Sequence, residues 1–525
     1  MRLLKHMIRT CMALAAVLTI ASSAAFAQGV TSAALTGVIK DDQGGVVPGT
    51  TVVAVHQPSG TTYTAVSQGD GRYTIAGMRV GGPYTITISK DGRTEKREGV
   101  YLQLAESNNV DAVMGAAANI ATVEVSGAGA ISVFSATKMG SGTNVDQETL
   151  RALPSVNGNI QDFMRLDPRV AFTDRASGSI SAGGMNPRFN KITIDGVSAS
   201  DTFGLEGNNM PTQRQPVSLQ AIEAIDINLS NYDVTMAGAA GANVNAVTKS
   251  GTNQWHGSVY GMYRDGDWFG DYPTRVAGST IDVTGLPFDE FEKDTTWGFT
   301  LGGPIKKDRF FYFGNYQRTE ASTAFVPTAS SISVQPQALQ LISGARTKEN
   351  LFAAFSQLNP GITASIPNAA AISDVAVRLL NIKNPATGDF FIPAPRGSNV
   401  VGRDINTGSG ADLSVGGNPY VRQRNVFPAS FKQDQFTTRL DYKVSEANSL
   451  NGTFFFSNFP GFDPFPDPNS LVSPVTLKRS DRNRTLAVSD VHTFSSTFIN
   501  EVRFGLFFLN NTRVLDDPFL DITNE

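Results

Sequence analysis

Cysteine is all but absent from this sequence. The single Cys11 lies in the first dozen residues, so the body of the chain holds no disulfide, no thiolate-bound metal and no catalytic thiol. Histidine is nearly as rare, and beyond residue 11 only His56, His256 and His492 remain, far apart in sequence. No H-E-x-x-H, G-x-S-x-G or P-loop pattern occurs. An enzyme is therefore not expected, nor is a cofactor or a metal centre. Asp265-Gly266-Asp267 and Asp463-Pro464 with Asp467 cluster carboxylates as calcium loops do, but their spacing fits turn chemistry better. Charge is thin as well. Asp, Glu, Lys and Arg make up 17% of the chain, with a formal net charge of −4, whereas soluble domains carry about 25% charged residues. Without a basic excess there is no electrostatic footprint for nucleic acid. No segment reaches the roughly 18 uninterrupted apolar residues of a spanning helix.

What is present begins with an export signal. Arg2, Lys5 and Arg9 precede an apolar run from Met12 to Ala25, and Ala25-Phe26-Ala27 supplies a small-residue cleavage site. Residues 1–27 read as a signal peptide, and Gln28 as the first mature residue. The run is too short for a membrane anchor.

Beyond it the sequence is rich in Gly and Phe, which suits many strands and turns. Residues 28–115 alternate apolar and polar side chains around turn signals, as at Asp41–Gly45, and predict a small β-sandwich with Tyr73, Ile75, Tyr84, Ile86 and Ile88 inward. Residues 116–135 are dominated by Ala, Gly and Ser. One β-prone stretch stands out there: Ala121, Thr122, Val123, Glu124 and Val125. It reads either as part of an interdomain linker or as a strand that adds to a partner's sheet. Residues 136–250 predict an α+β unit. Short helices are interrupted by Pro154 and Pro168, with Asp146 as an N-cap. Short strands follow, with Asp195-Gly196 as a tight turn between two of them.

From residue 251 the pattern changes to paired strands. Phe436, Thr438, Leu440, Tyr442 and Val444 share one face against Thr437, Arg439, Asp441 and Lys443. Val502, Phe504, Leu506 and Phe508 oppose Glu501, Arg503 and Gly505. Such rows run for roughly ten residues, the span of a tilted membrane strand. Short turns (PIKKDR, SEANS, SST) alternate with long polar connections at about 264–294, 320–434 and 459–482, the asymmetry of an outer-membrane barrel. The segment GGPIKKDRFFYFGNY at 302–316 fits the same picture. Lys306, Lys307 and Arg309 are expected in a periplasmic turn, and Phe310, Phe311, Tyr312 and Phe313 in the aromatic girdle where a strand enters lipid.

Two resemblances follow from these residues. Gly37, Val38, Asp41, Gly45, Pro48, Gly49, Val52, Gly71 and Tyr73 resemble the carboxypeptidase regulatory-like domain, which implies an accessory module without catalytic residues. ITIDGV (192–197), the stretch 230–264 with TKSGTN and HG, LGGPIKKDRFFYFGNYQ (301–317) and FTTRLDYKVSEANSLNGTF (436–454) resemble TonB-dependent outer-membrane receptors of the Oar-like group. The resemblance implies a mainly β chain: an N-terminal sandwich in the periplasm, an α+β plug at 136–250 and a transmembrane antiparallel β-barrel from 251 in the outer membrane. It implies a TonB-type energy-transducing complex as partner, with 121–125 as the candidate TonB box. Asp195 and Gly196 would then serve plug architecture. The substrate is not named by the sequence; carbohydrate, peptide and protein are all open. An adhesion or cargo-export platform is the alternative function. Residues 251–525 offer seven or eight strands where a plug of this size calls for about 22. The barrel is therefore expected to be partial, and the chain to be truncated or completed elsewhere.

Overall fold

From residue 33 the period-two alternation of the sequence folds into strands that bury every second side chain. The computed structural model describes residues 31–515 apart from 105–106, 115–122, 125–141, 156–157, 175–177, 203–205, 213, 230–239, 271–290, 326–332, 359–365, 384–387, 389, 391, 393, 395–399, 402–419, 424–426, 446, 466–474 and 496–497. The predicted export signal, Ala121, Thr122, Val125 and the polar end DITNE lie outside the described residues.

Strands β1 (Ala33–Asp41), β2 (Thr51–His56), β3 (Thr61–Val66), β4 (Arg72–Met78), β5 (Gly81–Lys90), β6 (Arg93–Leu102), β7 (Ser107–Asn109) and β8 (Ala112–Met114) form two sheets. One runs β3-β2-β5-β6. The other pairs β1 with β4 and carries β7 and β8 in parallel on β1. Their facing sides enclose a core that includes Tyr73, Ile75, Tyr84, Ile86 and Ile88, as the alternation predicts. The two tyrosines keep their hydroxyls satisfied: Tyr73 donates to the Val110 carbonyl at 2.7 Å and Tyr84 to the Arg79 carbonyl at 2.8 Å. Asp41 closes its turn by accepting from the Gly45 amide at 2.7 Å. A ninth short strand, β9 (Val123–Glu124), lies parallel on the β6 edge.

His56 is buried in this sandwich, with Nδ1 2.7 Å from Ser59 Oγ. Burial, helped by nearby Arg79, pushes its pKa down from 6.5 to about 3. The folded imidazole stays neutral while the unfolded one protonates, so stability is lost as pH falls below 6.5. The slope is at most about 1.4 kcal/mol per pH unit, or about 2 kcal/mol between pH 6.5 and 5. Thermal unfolding of the full chain between pH 7 and 5 should show this loss, and His56→Gln should flatten it. An equal slope in both proteins would refute the assignment.

The middle unit places β10 (Gly142–Val145), β13 (Lys191–Ile194), β14 (Val197–Ser198), β15 (Ile222–Asn228) and β16 (Asn243–Thr248) in one sheet of order β10-β15-β16-β13-β14. A separate hairpin, β11 (Val170–Asp174) with β12 (Ser179–Ala182), packs beside it. Short helices at Gln147–Ala152 and Ile160–Met164 complete the α+β unit. Asp146 caps the first, accepting from the Thr149 amide at 2.8 Å. All six residues of β16 are buried, because its sheet is covered on both faces.

Seven strands make the last sheet: β17 (His256–Asp265), β18 (Phe291–Lys306), β19 (Phe310–Phe325), β23 (Phe427–Ser445), β24 (Asn448–Phe465), β25 (Val475–Ser495) and β26 (Phe498–Leu515), each antiparallel to the next. Three small strands, β20 (Ser333–Pro336), β21 (Val400–Val401) and β22 (Tyr420–Gln423), form their own sheet within the connection from β19 to β23. The seven-stranded sheet begins at β17 and ends at β26, and among the described residues these edges are not joined. It is a partial barrel. Its outer face is dominated by apolar side chains: Trp255, Val259, Trp297, Phe299, Leu301, Phe436, Leu440, Phe454, Val502, Phe504 and Phe508 are all exposed, with Arg482 and Arg484 of β25 exposed among them. A face this apolar suits hydrocarbon. The hydropathy alternation predicted for 436–444 and 501–508 holds, and the polar partners face inward.

Three expectations need correcting. The connections predicted at 459–482 and 320–434 are partly strand: β24 runs to Phe465, β25 starts at Val475, β19 runs to Phe325 and β23 starts at Phe427. These strands are 16 to 21 residues long, whereas spanning lipid takes about 9–11. Outside lipid the backbone ladder continues without an apolar face, so the hydropathy signal stops before the strand does. Second, the long connection is not plain loop. Helices at Lys348–Leu358 and Asp374–Asn381 pack around Leu339, Leu351 and Ile392, and Arg346 donates to the Leu380 and Ile392 carbonyls, each at 2.6 Å. Third, only half of the aromatic run at 310–313 belongs to a girdle. Lys306, Lys307 and Arg309 are exposed in the turn as expected. Phe310 and Tyr312 point out, Phe310 meeting Tyr442 at a centroid distance of 5.4 Å. Phe311 and Phe313 point inward and are buried, because successive residues on a strand face opposite sides.

Candidate functional site

Two ends of the barrel and the wall between them hold the candidate functional residues. The short turns of β18-β19, β23-β24 and β25-β26 lie at one end, together with the sandwich. The helical connection and the long strand tips lie at the other.

The middle unit is a plug, and the barrel wall grips it with polar side chains. At mid-height sits the Asp195-Gly196 turn. Asp195 at φ 47° and Gly196 at φ 79° form the left-handed two-residue link between β13 and β14, so that Ile194 pairs with Val197. Asp195 is buried and accepts from the Thr248 amide at 2.9 Å and the Thr248 hydroxyl at 2.6 Å. Arg439, on the lumen face of β23, lies between two carboxylates. It is 3.6 Å from Asp195 and 3.0 Å from Asp441, and it donates to the Thr248 carbonyl at 2.9 Å. Asp441 also accepts from the Ser250 hydroxyl at 2.8 Å. All three charged side chains are nearly sealed from solvent. Sequence reading placed Arg439 and Asp441 on the polar face of their strand but missed the cluster, because the alternation shows which face is polar and not what that face meets.

Toward the long-strand end, the plug segment 206–218 is tied to both sides of the sheet. Arg214 and Arg264 converge on Asp294 at 2.5 and 2.8 Å. Gln433 and Gln435 donate to the Gln215 carbonyl at 3.2 and 2.5 Å, and Ser218 donates to Gln317 at 2.6 Å. On the other flank Glu206 pairs with Arg479 and with Arg513, the latter at 3.2 Å, and Arg513 reaches Asp481 at 2.6 Å. These residues tie the plug to the wall through a charged, largely buried network at this end. This network is not legible in the sequence, since isolated Arg, Asp and Glu residues carry no pattern. Asp265 caps a 3-10 turn by accepting from the Asp267 amide at 3.1 Å, which is the turn chemistry expected of it.

At the short-turn end, Val123 and Glu124 are the described part of the candidate TonB box. They pair in register with Arg97 and Glu98 of β6. These two residues are in strand conformation, on the edge of the chain's own sandwich.

Two family models agree with this architecture. A family model described as outer membrane beta barrel domain matches residues 247–521, and one described as carboxypeptidase regulatory-like domain matches 34–115. The TonB-dependent transporter Oar of Myxococcus xanthus is 26% identical over 226 residues, covering 42% of this chain and 20% of that protein. The probable TonB-dependent siderophore receptor PirA of Acinetobacter baumannii is 30% identical over 196 residues, covering 34% and 23%. The chain thus spans about a fifth of the length of these curated relatives. Among solved structures, the ferric enterobactin receptor of Pseudomonas aeruginosa aligns over 71% of this chain and 41% of its own, at 14% identity and a TM-score of 0.40. The outer membrane transporter YddB of Escherichia coli aligns over 71% and 40%, at 13% identity and a TM-score of 0.41.

Proposed function

The chain belongs to the outer membrane beta barrel family and is Oar-like in its domains, and from that premise we propose that it serves as a TonB-dependent receptor for energised uptake. One observation carries the reading: an α+β plug is clasped by lumen-facing polar side chains of a lipid-facing sheet. A plug held by hydrogen bonds and ion pairs, rather than by apolar packing alone, can shift and find new partners. The substrate binds between the outward plug surface at Glu206–Ser218 and the helical connection at 333–423. The partner is a TonB-type inner-membrane protein that pairs with Ala121, Thr122, Val123, Glu124 and Val125 by strand addition. Asp195 and Gly196 hold the plug's shape and do no chemistry. No catalytic step is assigned; the chain works by binding and movement. A siderophore, tried in its ferric form, is the first substrate class to test, since PirA is named as a siderophore receptor.

The test need not wait for the substrate. Full chain in detergent should be retained on an immobilised C-terminal domain of a TonB-type protein, and deletion of 121–125 should abolish retention. In cells, the same deletion should remove energised ferric-siderophore uptake and leave surface binding intact. Equal retention with and without the deletion would overturn the partner assignment.

A further inference from the structure

The sandwich is not tethered at a distance. It sits directly against the short-turn end of the sheet and the underside of the plug. Arg79, in the link between β4 and β5, donates to the Gly251 carbonyl at 2.8 Å and places its guanidinium 4.6 Å from the centre of the inward-facing Phe311 ring. Lys443 of β23 donates to the Thr62 carbonyl at 3.2 Å, and the Asn253 amide donates to the Pro58 carbonyl at 3.0 Å. Gly77 of β4 lies so close to β25 that a Cβ there would be 3.5 Å from Val491 Cβ. Val80 and Leu104 pack on Ala224 and Val247 of the plug. Between the sandwich, the plug and the barrel remains a cavity of about 570 Å³, lined in part by Arg151, Glu223, Lys249 and Tyr63.

We propose that the sandwich is a detachable cap: it closes the space below the plug and leaves when the path opens. Closure follows from the geometry. The cap bears on three barrel strands and on the plug at once, across the face through which a moving plug would have to pass. Detachability follows from how the contact is made. A few hydrogen bonds reach backbone carbonyls, the apolar contact is one small cluster and the approach of Gly77 to Val491, and a cavity stands where a permanent interface would be packed. Closure does not depend on the transport reading. That the cap must leave rests on it.

Closure is tested by labelling, with Cys11→Ser as background. Lys249→Cys puts a thiol on the cavity wall. A membrane-impermeant maleimide applied to outer-membrane fragments should label it slowly. Adding Arg79→Ala and Lys443→Ala should raise the rate by about tenfold or more, as expected when closing contacts worth some 1.4 kcal/mol are removed. Equal rates in both forms overturn the cap. A second pair is independent of that variant's folding. Gly77→Cys with Val491→Cys has a Cβ separation in the range of disulfides, about 3.5–4.5 Å. Gly77 has φ 68°, a left-handed conformation that strains a side chain, so Gly77→Ala serves as the folding control. Where that control migrates as the unmodified chain does, oxidation should link the pair within one chain, and failure to link overturns the docking. Departure is then tested on the linked form. Energised ferric-siderophore uptake should be lost on oxidation and recovered with reductant. Uptake that is equal in both forms overturns detachment and leaves the transport reading standing. Uptake absent from both forms, and from the unmodified chain, counts against the transport reading, and closure is then decided by the labelling.

Discussion

Arg439→Ala is expected to lower the stability of the plugged barrel by about 3–5 kcal/mol, among the largest losses any single substitution here should cause. Arg439 is the only cation within 4 Å of both Asp195 and Asp441 among the described ion pairs. Removing it leaves two buried carboxylates without their shared partner, with the Thr248 and Ser250 hydrogen bonds and, for Asp441, the more distant charge of Arg79 as remaining support. The cost is mostly that of stranded charge rather than of one lost contact, and this can be separated experimentally. Asp195→Asn with Asp441→Asn in the Arg439→Ala background should recover a large part of the loss, because the amides keep the shape without the charge. The same double change in the presence of Arg439 should be harmful, since it strands the guanidinium. Urea titration of detergent-solubilised protein, followed by heat-modifiable migration, reads both. If the triple variant is no more stable than Arg439→Ala alone, charge is not what holds this contact.

This cluster also shows where reading a sequence stops. The strands of the barrel are legible because lipid imposes a rule on every second residue: Phe436, Leu440 and Val444 must be apolar, so the other face is defined by default. The sandwich is legible for a similar reason, since Tyr73, Ile75, Tyr84, Ile86 and Ile88 repeat at period two. The helix start at Asp146 is local chemistry and is legible for that reason. What joins the units is not local. Asp195 and Arg439 are far apart in the chain, and nothing near either one signals the other. Phe311 and Phe313 mislead for a related reason. Four adjacent aromatics look like one feature, but a strand deals them alternately to lipid and to the plug. Strand ends misled as well, because the ladder of hydrogen bonds outlasts the apolar stripe. The helices at 348–358 and 374–381 were hidden by the polar composition around them, although Ser373 before Asp374 is an ordinary capping signal.

The inward aromatics lead to the second large effect. Phe455 of β24 and Phe313 of β19 are buried within the same apolar cluster as Ile160, Phe163, Met164 and Ile225 of the plug. Among the described residues the barrel wall therefore completes the plug's core at these two points, in addition to the polar contacts made at Arg439, Asp294 and Gln433. Phe455→Ala should cost about 3–5 kcal/mol, the usual loss for truncating a buried Phe to Ala. Its neighbour supplies the control. Phe454 faces outward and is partly exposed, so Phe454→Ala removes the same atoms from the lipid-facing side and leaves no cavity behind. Its effect should be well under half as large. The two variants have the same composition, sit on the same strand and differ in which side of the wall they alter. Heat-modifiable migration across a temperature series should separate them, with Phe455→Ala shifting to lower temperature and Phe454→Ala close to the unmodified chain. Protease sensitivity of the plug should rise in the first and not in the second. If the two behave alike, the plug is not packed against β24, and the inward assignment of the odd-numbered face is wrong.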